Sequence, residues 1–296
     1  MYSIKHNQEL NTIEVRNTEN SVFGKIYLNQ GASLQELTLD GQAIIQNLSP
    51  LAYESTYASS ILFPFANRIK DGIYSFNDNK YELETNQQEE QNALHGFVYN
   101  KTFVVTNISE TEESASITLE YVENNKTKGF PYTYTIAVTY IFTKQSISLQ
   151  LKVKNTDTKT FPFTLGWHPY FISEDLTKSS LNFNCTQKLI IGQRNITTGI
   201  ETIKPEKTFN IKDKQLDDCW ILKSNKVKFN TPKYQLSFKS SVKENFLQAY
   251  TPPRKNTIAI EPTTGVSDSF NNKIGLQSLK PNKDYSIIWK ININNI

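Results

Sequence analysis

Histidine, cysteine, methionine and arginine are all scarce in this chain of 296 residues: three His, two Cys and one Met, with arginine only at Arg16, Arg68, Arg194 and Arg254. Each scarcity excludes something. Cys185 and Cys219 form no CxxC pair and stand near no His cluster, so neither a zinc site nor a dithiol redox motif is supported, and both read as buried free thiols. No HxxE-type or closely spaced ligand set exists, which argues against a metal-dependent hydrolase, and neither a metal nor a cofactor is expected. No stretch approaches the ~20 apolar residues of a membrane span, and the N-terminal MYSIKHNQELNTIEV lacks a signal-peptide run. The expectation is a soluble, cytoplasmic protein without membrane contact, in which sequons such as Asn107-Ile108-Ser109 carry no weight. The net charge is only +3 and the lysines are scattered singly, so a nucleic-acid partner is not indicated.

Also missing is any segment with a sustained helical apolar period; alternation with the strand period runs almost throughout. The 17 Phe and 15 Tyr supply strand formers, and hydrophobic residues at 38% supply a sizeable core. Val22, Gly24, Ile26 and Leu28 alternate, and residues 37–44 read as a hairpin around Asp40-Gly41. Residues 73–76 and 81–83 flank Asn77-Asp78-Asn79, which is turn chemistry. Tyr132, Tyr134, Ile136, Val138, Tyr140 and Phe142 share one face, and Ile147, Leu149, Leu151 and Val153 make the antiparallel partner. Residues 185–220 carry no legible pattern. Strands resume at 226–229, 234–238 and 246–250; Thr257 to Glu261 forms another that stops at Pro262, and Tyr285, Ile287, Trp289 and Ile291 close the chain. Length alone would allow two domains, but all-β sandwiches reach this size as one unit. Without linker, repeat or low-complexity tract, the expectation is all-β: one large antiparallel β-sandwich domain over residues 1–296.

Several polar residues sit in unusual settings. Arg68 follows Pro64-Phe65-Ala66-Asn67, too apolar for a solvated loop, so its guanidinium needs a planar acceptor near the interior. His95 stands in Ala93-Leu94-His95-Gly96, where the glycine permits close approach. His168 lies in TFPFTLGWHPYF, whose prolines exclude a regular central strand and place it where a strand ends or bulges. Glu261 takes the face opposite Ile258 and Ile260, and Asp217 follows Leu216. Each has an ordinary reading: core histidines bonded to backbone, an ion-paired arginine, a turn carboxylate, a sheet-edge charge. Trp220 reads as core or as a sugar-stacking ring. His6 reads as a solvated bystander.

The order of the motifs changes the balance. FANRIKDGIYSF followed by ALHG, then GWHPYF, LDD and AIEP, with EPTTGVSDSFNN and LKPNKDYSIIWKI behind them, resembles the aldose 1-epimerase (galactose mutarotase) family over roughly residues 20–293. The resemblance implies a galactose mutarotase-like β-sandwich with an open sugar cleft and chemistry at C1 of a free aldose. Carried over position by position, it makes Glu261 the general base, His168 the general acid, and Arg68, His95 and Asp217 the residues that hold sugar hydroxyls and ring oxygen. The LDD motif leaves Asp217 and Asp218 open by one position; Asp217 is favoured because it directly follows Leu216.

The residue types suit that chemistry. Opening a pyranose hemiacetal removes a proton from the C1 hydroxyl and delivers one to the ring oxygen. A His that acts as the acid near neutrality needs a neighbouring carboxylate, for which Asp217 is the candidate. A glycosidase would instead ask for two carboxylates flanking the bond. The expected activity is therefore interconversion of α and β anomers of a hexose such as galactose or glucose, with a small-molecule sugar as partner and a monomer or homodimer as the working form. Two alternatives stand beside it: a hexose-phosphate 1-epimerase, which would need further cationic forks, and a non-catalytic carbohydrate-binding protein on the same fold.

Overall fold

The computed structural model of the chain describes residues 1–243 and 245–296. It has the antiparallel all-β architecture that the alternating pattern predicts. The first five strands, Tyr2–Asn7, Thr12–Asn17, Phe23–Tyr27, Ser33–Leu39 and Gln42–Ile45, pair in sequence order into one sheet. A larger sheet runs from Val104–Glu110 through Ser114–Glu123, Tyr134–Thr143, Ser146–Asn155 and Asp284–Asn295 to Tyr234–Ser240 and Asp217–Asn230. It continues through Asn245–Tyr250 and Thr257–Thr263 and ends on Gly166–Trp167 and Ile61–Leu62.

The two sheets share a core. Ile13, Val15, Ile26 and Leu37 of the first belong to the same apolar cluster as Ile136, Val138, Tyr140, Phe142, Ile147 and Leu149 of the second. Contact is close enough that a Cβ on Gly24 would stand 2.4 Å from the Phe142 ring, and the Tyr140 hydroxyl donates across the interface to Ala32 O at 2.9 Å. This is sandwich packing of two alternating inner faces.

Turn chemistry sets several boundaries. Asn77 and Asp78, with φ of 48° and 60°, form a two-residue turn between Ile73–Phe76 and Asn79–Glu82. Two left-handed residues match the strand twist, so the second strand starts at Asn79, earlier than the sequence suggests. The stretch 185–220 is not irregular: it holds most of Ser180–Ile191, all of Thr197–Thr202, and the start of a strand running Asp217–Asn230. Register shifts between Phe183 and Cys185 and between Cys185 and Gln187 break the alternation there, which hides the strand from a pattern search. Cys185 and Cys219 are both free and buried. Among the described residues, no helix is long and apolar enough to cross a membrane.

One further correction bears on the site. The strand carrying Glu261 does not stop at Pro262 but runs Thr257–Thr263. A proline is tolerated inside a central strand because of what lies beside it. Thr264 N–H donates to Leu165 O and Ile260 N–H to Pro169 O, so the proline between them withholds the one donor the ladder would aim at the Trp167 carbonyl. The neighbouring chain is interrupted at the same place, as Gly166–Trp167, a break at His168 and Pro169, then Tyr170–Ile172.

Candidate active site

That interruption builds the site. Gly166 pairs with Thr263 and Tyr170 with Ala259, and the same register across the break sets His168 opposite Glu261. The next strand pairs Gln248 with Glu261, and the one after pairs Cys219 with Gln248, giving a row of four residues across the sheet. The next row on the same face is Tyr170, Ala259, Tyr250 and Asp217. By the alternation of the strand, the backbone of His168 turns away from Glu261: its N–H donates to Ser60 O and its carbonyl accepts from Ser59 N–H.

The other half comes from the Arg68–Lys70 strand and its partner Asn92–Leu94, in which Leu94 pairs with Arg68. Beyond that pair, His95 N–H donates to Asn67 O at 2.9 Å and Asn67 N–H donates to His95 Nδ1 at 3.3 Å. Accepting at Nδ1 assigns the His95 proton to Nε2. His95 takes φ of 63° and Gly96 of 73°, and a Cβ on Gly96 would lie 2.1 Å from Phe63 O, which is why glycine follows this histidine.

Arg68, His95, His168, Asp217 and Glu261 all line one cleft with about 610 Å³ of free space, mouth included. Asn67, Gln87, Tyr57, Tyr170, Gln248 and Tyr250 complete much of its wall. Glu261 is 3% exposed, His168 5% and His95 7%, so the three titratable groups work in a desolvated setting. Arg68 finds the planar acceptor its context demands in Glu90, with Nε donating to Oε2 at 2.9 Å, and also meets Gln87 Oε1 at 3.2 Å and Asn67 Oδ1 at 3.0 Å. A separate apolar cavity of about 360 Å³, against Leu247, Ile260 and Trp289, contains none of these groups.

His168 Nε2 stands 3.4 Å from Glu261 Oε1, its ring stacked on Tyr170 at 4.9 Å and edge-on to His95 at 5.2 Å. Burial pushes the Glu261 carboxyl well above its ordinary range; the nearby Asp217 charge adds to this and Arg68 opposes it. Burial pushes the His168 imidazole down to about 4, and drives His95 well below its usual value, helped by His168 and Arg68. Burial thus disfavours the charged form of both partners, leaving His168 a neutral imidazole around neutrality and drawing the Glu261 carboxyl toward its protonated form. The sequence-based expectation that Asp217 keeps His168 charged is corrected on both counts. The carboxylate in reach of His168 is Glu261, and Asp217 Oδ1 instead accepts from Gln248 Nε2 at 2.6 Å. Burial also raises the Asp217 carboxyl, with Arg68 opposing.

Strand parity separates Asp217 from Asp218. Asp217 faces the cleft, and Asp218 pairs with Lys188 away from it. Trp220 is core, packed against Phe183 at 5.1 Å and Phe209 at 5.3 Å, and does not line the cleft. Sequence reasoning missed Asn67, Gln87, Glu90, Gln248 and the three tyrosines. Gln248 and Tyr250 were findable, since they alternate on one face of a strand whose neighbour carries Glu261; Gln87 and Glu90 sit in a polar stretch without period. Among the described residues, no group of three or more His, Cys, Asp and Glu side chains is arranged to hold a metal ion.

The family profile described as aldose 1-epimerase matches residues 13–291. YihR, an uncharacterised protein of Escherichia coli K12, is 22% identical over 282 residues, covering 88% of this chain and 87% of its own. The crystal structure of a galactose mutarotase-like protein from Clostridium acetobutylicum superposes with a TM-score of 0.87 at 19% identity, over 100% of this chain and 99% of the other. That of galactose 1-epimerase from Lactobacillus acidophilus gives 0.81 at 18% identity, over 100% and 98%.

Proposed function

This chain belongs to the aldose 1-epimerase family, and on that footing we propose that its cleft interconverts the α and β anomers of a free hexose such as galactose or glucose. The observation that carries the reading is the buried pair of Glu261 and His168, 3.4 Å apart in a polar cleft. Sugar hydroxyls entering the cleft solvate Glu261, and its proton passes across the short contact to His168. The resulting carboxylate takes the proton of the C1 hydroxyl while the imidazolium protonates the ring oxygen; the C1–O5 bond breaks and an open-chain aldehyde forms. The pair is then neutral again, as in the empty cleft. After half a turn about C1–C2 the same two transfers run backwards on the other face of the aldehyde. Arg68, the Nε2–H of His95, and Asp217 hold hydroxyls and ring oxygen, and Tyr170 and Tyr250 offer flat apolar surface to the ring.

A neutral substrate suits the charge inventory better than a phosphorylated one. Arg68 is the one arginine or lysine in the lining among the described residues, and it already faces Glu90, with Asp217 and Glu261 also present. A phosphate would enter a cleft richer in carboxyl groups than in cations. Against a purely carbohydrate-binding role stands the presence of both an acid and a base candidate. A single 1–296 domain, action as monomer or homodimer, and a cytoplasmic setting belong to the same proposal. Polarimetry of freshly dissolved α-glucose and α-galactose tests it: the protein should accelerate the approach to equilibrium, and failure with every aldose tried would remove the enzymatic reading.

A further inference from the structure

The turn at Arg194 and Asn195 is far from the cleft in sequence and absent from its lining, yet it is tied to the segment that supports Arg68. Both residues adopt left-handed backbone, with φ of 58° and 55°. Asn195 Nδ2 donates to Glu90 Oε1 at 2.8 Å, while the other oxygen of that carboxylate receives Arg68 Nε at 2.9 Å. Arg194 secures the backbone of the same segment: Nε donates to Glu90 O at 2.6 Å and Nη2 to Gln91 O at 2.9 Å and to Asn92 Oδ1 at 3.0 Å. Asn92 Nδ2 returns a bond to Arg194 O at 3.1 Å. The turn itself is anchored, Arg194 Nη1 pairing with Asp71 at 2.8 Å and Asn195 O accepting from Ser267 Oγ at 2.8 Å.

We propose that the Arg194-Asn195 turn is a positioning device: it fixes the Glu90 carboxylate, and through Glu90 it fixes the Arg68 guanidinium that holds the sugar. The inference rests on the sugar-binding reading of Arg68 for its functional consequence and on geometry alone for the mechanical one. A carboxylate bonded on one oxygen only can swing with its loop. Bonded on both, and with its backbone carbonyl clamped by a guanidinium, it presents a fixed acceptor to Arg68 Nε. Arg68 Nη2 has no bond to any described residue, so the fork is oriented by its partners on Nε and Nη1 with one terminal nitrogen left for a ligand.

Asn195→Gly is the clean perturbation, because glycine accepts the left-handed backbone without strain and removes only the amide. The first readout is independent of catalysis. Exchange with solvent of the Arg68 Nε–H, assigned by NMR through its loss in Arg68→Lys, should accelerate at least about tenfold in Asn195→Gly while the Arg194 Nε–H stays protected. The second is kinetic: KM for the best aldose should rise about 5- to 20-fold with kcat within about twofold, and Asn195→Gly should add nothing further in a Glu90→Ala background. Unchanged Arg68 Nε–H exchange would overturn the proposal, as would independent, multiplying effects of Asn195→Gly and Glu90→Ala on KM. If the wild type epimerises no aldose, the functional reading fails by itself and the exchange measurement still decides whether the turn holds Arg68.

Discussion

Acidification gives the most searching test of the Glu261 and His168 pair. With burial pushing His168 down to about 4 from an ordinary value of 6.5, the folded protein resists protonation there by roughly 3 kcal/mol. At pH 6 only about one His168 in a hundred is then charged, against roughly three in four for a free imidazole. If one shared proton is the active state, catalysis fails when the pair acquires a second, so the acid limb of kcat/KM should have its midpoint near pH 4. Polarimetry corrected for acid-catalysed mutarotation reads the rate, and the imidazole C–H resonances, assigned with His→Asn variants, read the titration. Linkage supplies a second consequence. Between pH 4 and 6.5 the unfolded chain carries a proton at this residue and the folded chain does not, so this residue takes up protons on unfolding and its own share of the stability rises with pH across that window. The His168 contribution is complete above pH 6.5 and lost as the pH falls toward 4. Wild type should therefore lose up to about 3 kcal/mol more than His168→Asn between pH 7 and pH 4 in urea denaturation. An acid limb of the rate, or a His168 titration, at pH 6 or above would refute a neutral His168.

Three further outcomes follow from the geometry. Glu261→Gln should fold and lower kcat by roughly 10²–10⁴, the usual worth of a positioned acid or base, and should lose the fall in stability with rising pH that a buried carboxyl of raised pKa imposes; near-wild-type turnover in the folded variant would end its assigned role. Arg68→Lys should cost roughly 10- to 150-fold in kcat/KM, since a point charge cannot keep Glu90, Gln87 and Asn67 and still meet a sugar; thermal melting alongside separates this from a structural ion pair, which would lose stability without losing sugar affinity. Gly96→Ala should destabilise by at least about 2 kcal/mol in urea, because the left-handed backbone alone costs about 1–2 kcal/mol and the new Cβ would press on Phe63 O; an unchanged midpoint would show that the His95-Gly96 turn relaxes freely.

Legibility in the sequence followed the physics of each segment. Strands with one buried face announced themselves by alternation, as in Tyr134–Thr143, and tight turns by their Asn and Asp residues. Ser180–Ile191 was hidden because bulges reset its alternation, and the Asp217–Asn230 strand lost its first half because its partner is that bulged strand. Four candidate site residues stood out through local grammar, His168 by its prolines, His95 by its glycine, Arg68 by its apolar neighbours and Glu261 by the proline after it, while Asp217 took its role from the order of the motifs. Their mutual arrangement was not legible, since a register between strands almost a hundred residues apart leaves no trace in either strand alone. This is why Asp217 was assigned as the neighbour of His168 when Gln248 holds it and Glu261 has that place. Glu90 and Gln87 were invisible for the same reason, being defined by the arginine they meet.

The two prolines that flank the pair of Glu261 and His168 matter for what they do not offer. A continuous sheet is a repeating lattice in which every amide has a partner, and nothing foreign can enter it. Pro169 and Pro262 place a dislocation in that lattice, one on each strand and on opposite sides of the rung that sets His168 against Glu261, so that the backbone closes on either side while two side chains are left to meet in the gap. Restoring an amide hydrogen at position 262 would give the Trp167 carbonyl a donor and invite the two chains to zip together through the place where Glu261 and His168 now meet.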